Sequence, residues 1–114
     1  MKVLETEVTT ITLDSYLQEK KITAVDLVKI DVETHEPEVL SGFTQGLTQC
    51  RPALLIEILN EDVGKRVEAI VQKLGYRYFN IDEKGGIRET VHIGKSDFYN
   101  YLLCDNNTVN KLGL

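Results

Sequence analysis

One apolar run that ends in charge does most to limit what this chain can fold into. Val25, Leu27, Val28, Ile30 and Val32 carry between them Asp26, Lys29 and Asp31, with Glu33 next and then Thr34-His35-Glu36-Pro37. β-Branched and leucine side chains over residues 25–32 predict a buried strand. Pro37 suits the first turn of a following helix, where its missing N–H would have no partner anyway. Alternate strand residues share a face, roughly 6.6 Å apart, so Lys29, Asp31 and Glu33 are expected on one side. A strand that delivers carboxylates beside a helix start belongs to an α/β domain, whose ligands sit at the carboxyl ends of parallel strands.

The remaining elements fit that class. Residues 7–12 are rich in threonine, valine and isoleucine and predict a short strand, and residues 13–20 a short helix capped by Thr12. A helix is expected over 36–47, with Val39, Leu40, Phe43 and Leu47 as its apolar stripe and Gly42 and Gly46 weakening it. Residues 53–59 form a second apolar run holding one carboxylate, Glu57. Asn60 then caps a helix whose Val63, Val67, Ile70, Val71 and Leu74 recur at helical spacing and which Gly75 closes. Strands are expected at 76–82 and 97–104, with a turn at 83–86, a short strand or irregular excursion at 87–93, and a polar tail from Asp105. Two strand–helix–strand units imply right-handed crossovers and a mostly parallel sheet with an antiparallel last strand and helices on both faces.

At 114 residues the chain is read as a single domain, 1–114, with 42% hydrophobic and 27% charged residues, as in an ordinary globular protein. A net charge of -5 argues against nucleic acid and anionic membrane as partners. The first five residues do not resemble a signal peptide, and Cys50 and Cys104 lie far apart, so a cytoplasmic protein with reduced thiols is expected.

The chemistry concentrates on acids. Asp31, Glu33 and Glu57 are expected at the same sheet end, with His35 and Glu36 beside them. Such carboxylates can accept a substrate proton, bind a cationic group, or hold a divalent metal through oxygen. The plain structural alternative is that Lys29 pairs with Asp31 or Glu57 on a solvated surface. No metal is expected, because no HxH or HxxxH spacing occurs. There is no GxGxxG, no GxxxxGK[ST] and no GxSxG. The aromatic residues Tyr76, Tyr78, Phe79, Phe98, Tyr99 and Tyr101 are read as packing.

Thr12-Leu13-Asp14-Ser15-Tyr16-Leu17, then residues 25–33, Glu36, Val39-Leu40-Ser41-Gly42, Arg51-Pro52, Leu55-Ile56-Glu57-Ile58 and Gly75-Tyr76 come in an order that resembles the FkbM family of methyltransferases, over roughly residues 8–104. The resemblance implies S-adenosyl-L-methionine as cofactor, a partial Rossmann-like sheet of the class I methyltransferase type, and a small-molecule hydroxyl acceptor. It puts residues 25–32 and 53–59 at the fourth and fifth strands of that fold, and the two C-terminal strands at the sixth and seventh. It further implies Asp31, Glu33 and Glu57 as catalytic residues and His35 and Glu36 as substrate-binding. The family usually has glycine where this chain has Thr34. Its cofactor-binding first half, with a glycine-rich turn, has no counterpart here, so no cofactor-binding residue can be named. The chain is expected to be incomplete and inactive alone, with a homodimer or partner chain covering the sheet edge that the missing strands would leave open. A non-catalytic dimerising module and, more weakly, an acidic metal-binding domain are the other readings.

Overall fold

The computed structural model describes Glu7 and residues 9–114. Helix α1 (Leu13–Glu19) begins where Thr12 accepts the Ser15 N–H, as its sequence predicts. It is followed by β1 (Leu27–Ile30), α2 (Glu36–Ser41), α3 (Thr44–Cys50), β2 (Ala53–Glu57), α4 (Glu61–Val71), β3 (Arg77–Asp82), β4 (Gly86–Thr90), β5 (Asn100–Cys104) and α5 (Asn106–Leu112). The strand expected over 7–12 does not form at Glu7 or at residues 9–12, while Val8 and residues 1–6 lie outside the described ones.

The five strands form one mixed sheet in the order β1-β2-β5-β3-β4. Among the described residues only β1 and β2 pair in parallel; β2–β5, β3–β5 and β3–β4 are antiparallel. The expectation of a mostly parallel sheet is therefore corrected. β1, β2 and β3 do run the same way, as the helical connections require, but β5 inserts between β2 and β3 and turns both contacts antiparallel. The reading of β1 as a buried strand is corrected too. It is an edge strand whose Leu27 is 59% exposed, and only its Ile30 is buried.

Leu54, Ile56, Tyr78, Tyr101 and Leu103 point to one sheet face and pack with Leu40, Phe43 and Leu47 from α2–α3 and Val63, Val67 and Val71 from α4. The opposite face buries Ala53, Phe79 and Cys104 under Val109 of α5. Helices thus lie on both faces, although α5 stands where a polar tail was expected. Asp105 caps α5 by accepting the Thr108 N–H and Gly113 closes it; one buried valine in two turns leaves no periodic trace in the sequence.

The helix expected over 36–47 is two helices. Asp14, on α1, accepts the Gln45 and Gly46 N–H groups with its two carboxylate oxygens and donates its own N–H to the Gly42 carbonyl. A cap supplied from 31 residues away starts α3 anew at Thr44. In α4, Asn60 caps as predicted, and Gly75 takes the left-handed conformation after a 3₁₀ turn at Gln72–Leu74. Gly64 brings α4 against the backbone of Ile93 and Gly94; a Cβ there would lie 2.5 Å from the Ile93 carbonyl oxygen.

Candidate functional site at the acidic strand ends

In the parallel register Ile30 lies beside Ile56, so the next residues, Asp31 and Glu57, emerge side by side at the carboxyl end of the sheet. The chain then turns sharply. Glu33 and Thr34 both adopt positive φ, 50° and 76°, which brings the Glu33 carboxylate back over the strand end. One carboxylate oxygen from each of Asp31, Glu33 and Glu57 lies within 4.8 Å of the others. Asp31 and Glu33 are exposed and Glu57 is half-buried.

Withdrawal of Glu57 from water pushes its carboxyl pKa up. The negative charge of Asp31, a proton-sharing contact with it, and the charges of Glu33 and Glu36 push it further the same way. Nothing opposes them: among the described residues, none of the ion pairs includes Asp31, Glu33 or Glu57, and Lys29 pairs with neither Asp31 nor Glu57. The plain structural alternative of a solvated Lys29 ion pair is not what the fold builds.

Glu36 is fully buried at the first position of α2. Its Oε2 accepts the Val32 N–H at 2.9 Å, inside the turn that carries Asp31 and Glu33, while Oε1 is buried with no partner. His35 goes elsewhere. Its ring is exposed and stands 4.0 Å from Glu38, away from the three carboxylates. The sequence had named no metal ligands, yet the carboxylates it did name form a group with the spacing of a metal site.

Sequence reasoning missed a second set of residues at this end. Asn100 pairs with Glu57 across β2 and β5 and lines, with Ile81, Asp82, Phe98 and Tyr99, a cleft of about 420 Å³. Tyr76, Tyr78, Phe79 and Tyr101 are packing residues as expected, but Phe98 and Tyr99 are exposed on this cleft. Buried Asn80 fixes the segment: its Nδ2 donates to the Phe98 and Asn100 carbonyls and its Oδ1 accepts the Ser96 hydroxyl. Glu61 and Glu68 of α4 accept the Lys95 and Ile93 N–H groups. A lone asparagine in an apolar strand was the available signal for this network, because a buried amide must find partners.

The methyltransferase FkbM domain family matches residues 2–78. The chain belongs to that family. The match takes in α1 through the first part of β3, including Asp31, Glu33, Glu36 and Glu57, and stops short of β4, β5 and α5. No curated protein and no solved structure matches the chain. Among the described residues no helix is long and apolar enough to cross a membrane.

This membership raises the question of S-adenosylmethionine, and the described residues do not fit it by themselves. The glycines with positive φ are Gly75, Gly86 and Gly113, which lie before β3, in the β3–β4 hairpin and after α5. None stands between a strand and a helix start, where a glycine-rich turn would admit the cofactor to the backbone. What these residues form is an acidic strand end beside a small cleft.

Proposed function

We propose that this chain is the acceptor side of an S-adenosylmethionine-dependent O-methyltransferase built on a partial Rossmann-like sheet. The observation that carries the reading is the gathering of Asp31, Glu33 and Glu57 at one strand end in a chain of the FkbM family. A small hydroxyl acceptor lies in the cleft beside Asn100, with its oxygen toward the carboxylates. The Asp31–Glu57 pair takes the hydroxyl proton onto a carboxylate oxygen, and the raised affinity of Glu57 for protons favours that transfer. Glu33 orients the acceptor, Glu36 holds the turn through Val32, and His35 contacts the acceptor only after its ring leaves Glu38. The cofactor wall comes from a second polypeptide segment docked on the open edge of β1, and a cytoplasmic location suits the two free thiols.

Calorimetric titration with S-adenosylmethionine tests the reading. The chain alone is expected to give no binding; a micromolar complex overturns the requirement for a second segment. Among the described residues no strand pairs with the outer edge of β1, which also favours a second reading, a non-catalytic dimerising module, since such an edge recruits another strand. Light scattering separates the two. A dimer that still ignores the cofactor supports the module, a dimer that binds it supports a site completed between copies, and a strict monomer removes the dimer.

A further inference from the structure

We propose that the cleft beside Asn100 takes its acceptor as an uncharged aromatic hydroxyl compound, a phenol whose ring packs on Phe98 and Tyr99. Phe43, Tyr76, Tyr78, Phe79 and Tyr101 are buried, whereas Phe98 is 37% exposed and Tyr99 49%. Both line a cleft of about 420 Å³, a volume within the range of small-molecule sites. Two exposed rings could be no more than the tip of a loose loop. The hydrogen bonds argue otherwise. Ser96 Oγ accepts the Phe98 N–H, buried Asn80 donates to the Phe98 carbonyl at 2.9 Å, and Ile58 donates its N–H to the Tyr99 carbonyl at 2.8 Å. The backbone that carries the rings is therefore tied to β3 and to the residue that follows β2. A platform already in place binds a ring without the cost of ordering itself.

The polar groups decide the class of ligand. The Asn80 amide is committed to the Phe98 and Asn100 carbonyls and to the Ser96 hydroxyl, and Asp82 Oδ1 accepts the Lys84 N–H. Asn100 is the lining residue that pairs with Glu57 in the strand register. A flat ring with one hydroxyl suits that inventory; a sugar, with hydroxyls around its whole rim, does not. Lys84 lines the cleft together with Asp82 and Glu83, so no positive excess selects a phosphate or a carboxylate. The proton points the same way. A phenol releases its proton at a pKa of about 10, an alkyl hydroxyl near the value of water, about 16. Glu57 holds a proton more tightly than an ordinary glutamate but is still a carboxylate, so a phenol roughly halves the mismatch. The O–H bond breaks, the proton passes to a carboxylate oxygen of the Asp31–Glu57 pair, and the phenolate keeps the electron pair. This inference rests on the acceptor reading of the cleft, but ring binding itself needs no cofactor.

The test is a fluorescence titration of 2-naphthol with the full chain and no S-adenosylmethionine; the protein has no tryptophan to obscure the signal. One saturable site is expected, with a Kd on the order of a millimolar or below. Phe98→Ala with Tyr99→Ala should weaken it about tenfold, and Tyr99→Phe, which keeps the ring, should leave it unchanged. Val91→Ala, at an apolar residue 82% exposed outside the cleft, should bind as the parent does. Decahydro-2-naphthol has the same skeleton and hydroxyl without the π system; as competitors, it and methyl glucoside should each bind about tenfold more weakly than 2-naphthol. Equal competition by either overturns the aromatic class. Titration without saturation overturns the site, and so does equal weakening by Val91→Ala, which would mark diffuse apolar attraction. If the double variant fails to fold, Tyr99→Ala alone carries the comparison. Failure of ring binding leaves the methyltransferase reading to the cofactor titration, which involves no acceptor.

Discussion

The two ends of the sheet solve opposite electrostatic problems. At the end where β2 begins and β5 finishes, Arg51, Asp105 and Tyr76 are all partnered. Arg51 donates from Nε to Asp105 at 3.1 Å and from a terminal nitrogen to the Leu74 carbonyl, and lies over the Tyr76 ring. Tyr76 donates its hydroxyl to the Pro52 carbonyl at 2.6 Å. At the other end Asp31, Glu33 and Glu57 face one another with no ion-pair partner among the described residues, and Glu36 buries an oxygen with none there either. Two carboxylates record the difference. Asp105 is held below its usual pKa by the Thr108 N–H and then by Arg51, whereas Glu57 is raised by burial and then by Asp31. One end pairs its charges, and the other sets three carboxylates against one another.

Removing Asp105 attacks the satisfied end and carries the largest expected effect. Asp105→Ala deletes both the α5 cap and the Arg51 ion pair, and should cost about 2 kcal/mol in urea unfolding at pH 7. The sign with pH follows from a folded pKa below the unfolded one. The contribution is complete above the ordinary aspartate range and disappears as pH falls through the depressed folded pKa, so parent and variant should converge in acid. Convergence at neutral pH would erase the contrast between the two ends. Tyr76→Phe tests the same end more gently. It leaves the ring in place and strands the Pro52 carbonyl, for a loss of about 1–1.5 kcal/mol by the same measurement.

What was legible in the sequence divides along similar lines. Thr12, Asn60 and Gly75 act within a few residues of themselves, so their caps could be read locally. The acids of the site were also readable, because carboxylates inside apolar runs have few packing explanations. The break between α2 and α3 was not, since Asp14 supplies the cap from a different helix. The antiparallel last strand was readable, but its place between β2 and β3 was not. Connection lengths set strand direction, but insertion of β5 between β2 and β3 depends on which faces pack, and no local pattern encodes that. The role of Asn100 in the cleft follows from the same pairing and was hidden for the same reason.

Thr34 sharpens the comparison from the strained side. It holds φ at 76°, in the left-handed region where a β-branched residue is an outlier. Thr34→Gly should relieve that strain and stabilise the fold by about 0.5–1 kcal/mol in thermal and urea unfolding. A loss of stability instead would mean that the threonine side chain makes contacts worth more than the strain.

Glu57→Gln has the smallest expected effect on stability and the opposite sign to Asp105→Ala. An acid whose folded pKa is raised above its unfolded value makes the folded state take up protons more readily, so stability falls as pH rises through the window between the two values. The penalty is complete above the raised folded pKa and vanishes below the ordinary glutamate range. Glutamine keeps the shape and removes the charge. The variant should therefore be slightly more stable than the parent at pH 7 and indistinguishable from it near pH 4. If Glu57→Gln destabilised the protein at pH 7, the acidic end would be a satisfied network like its counterpart, and the difference between the two ends of the sheet would collapse.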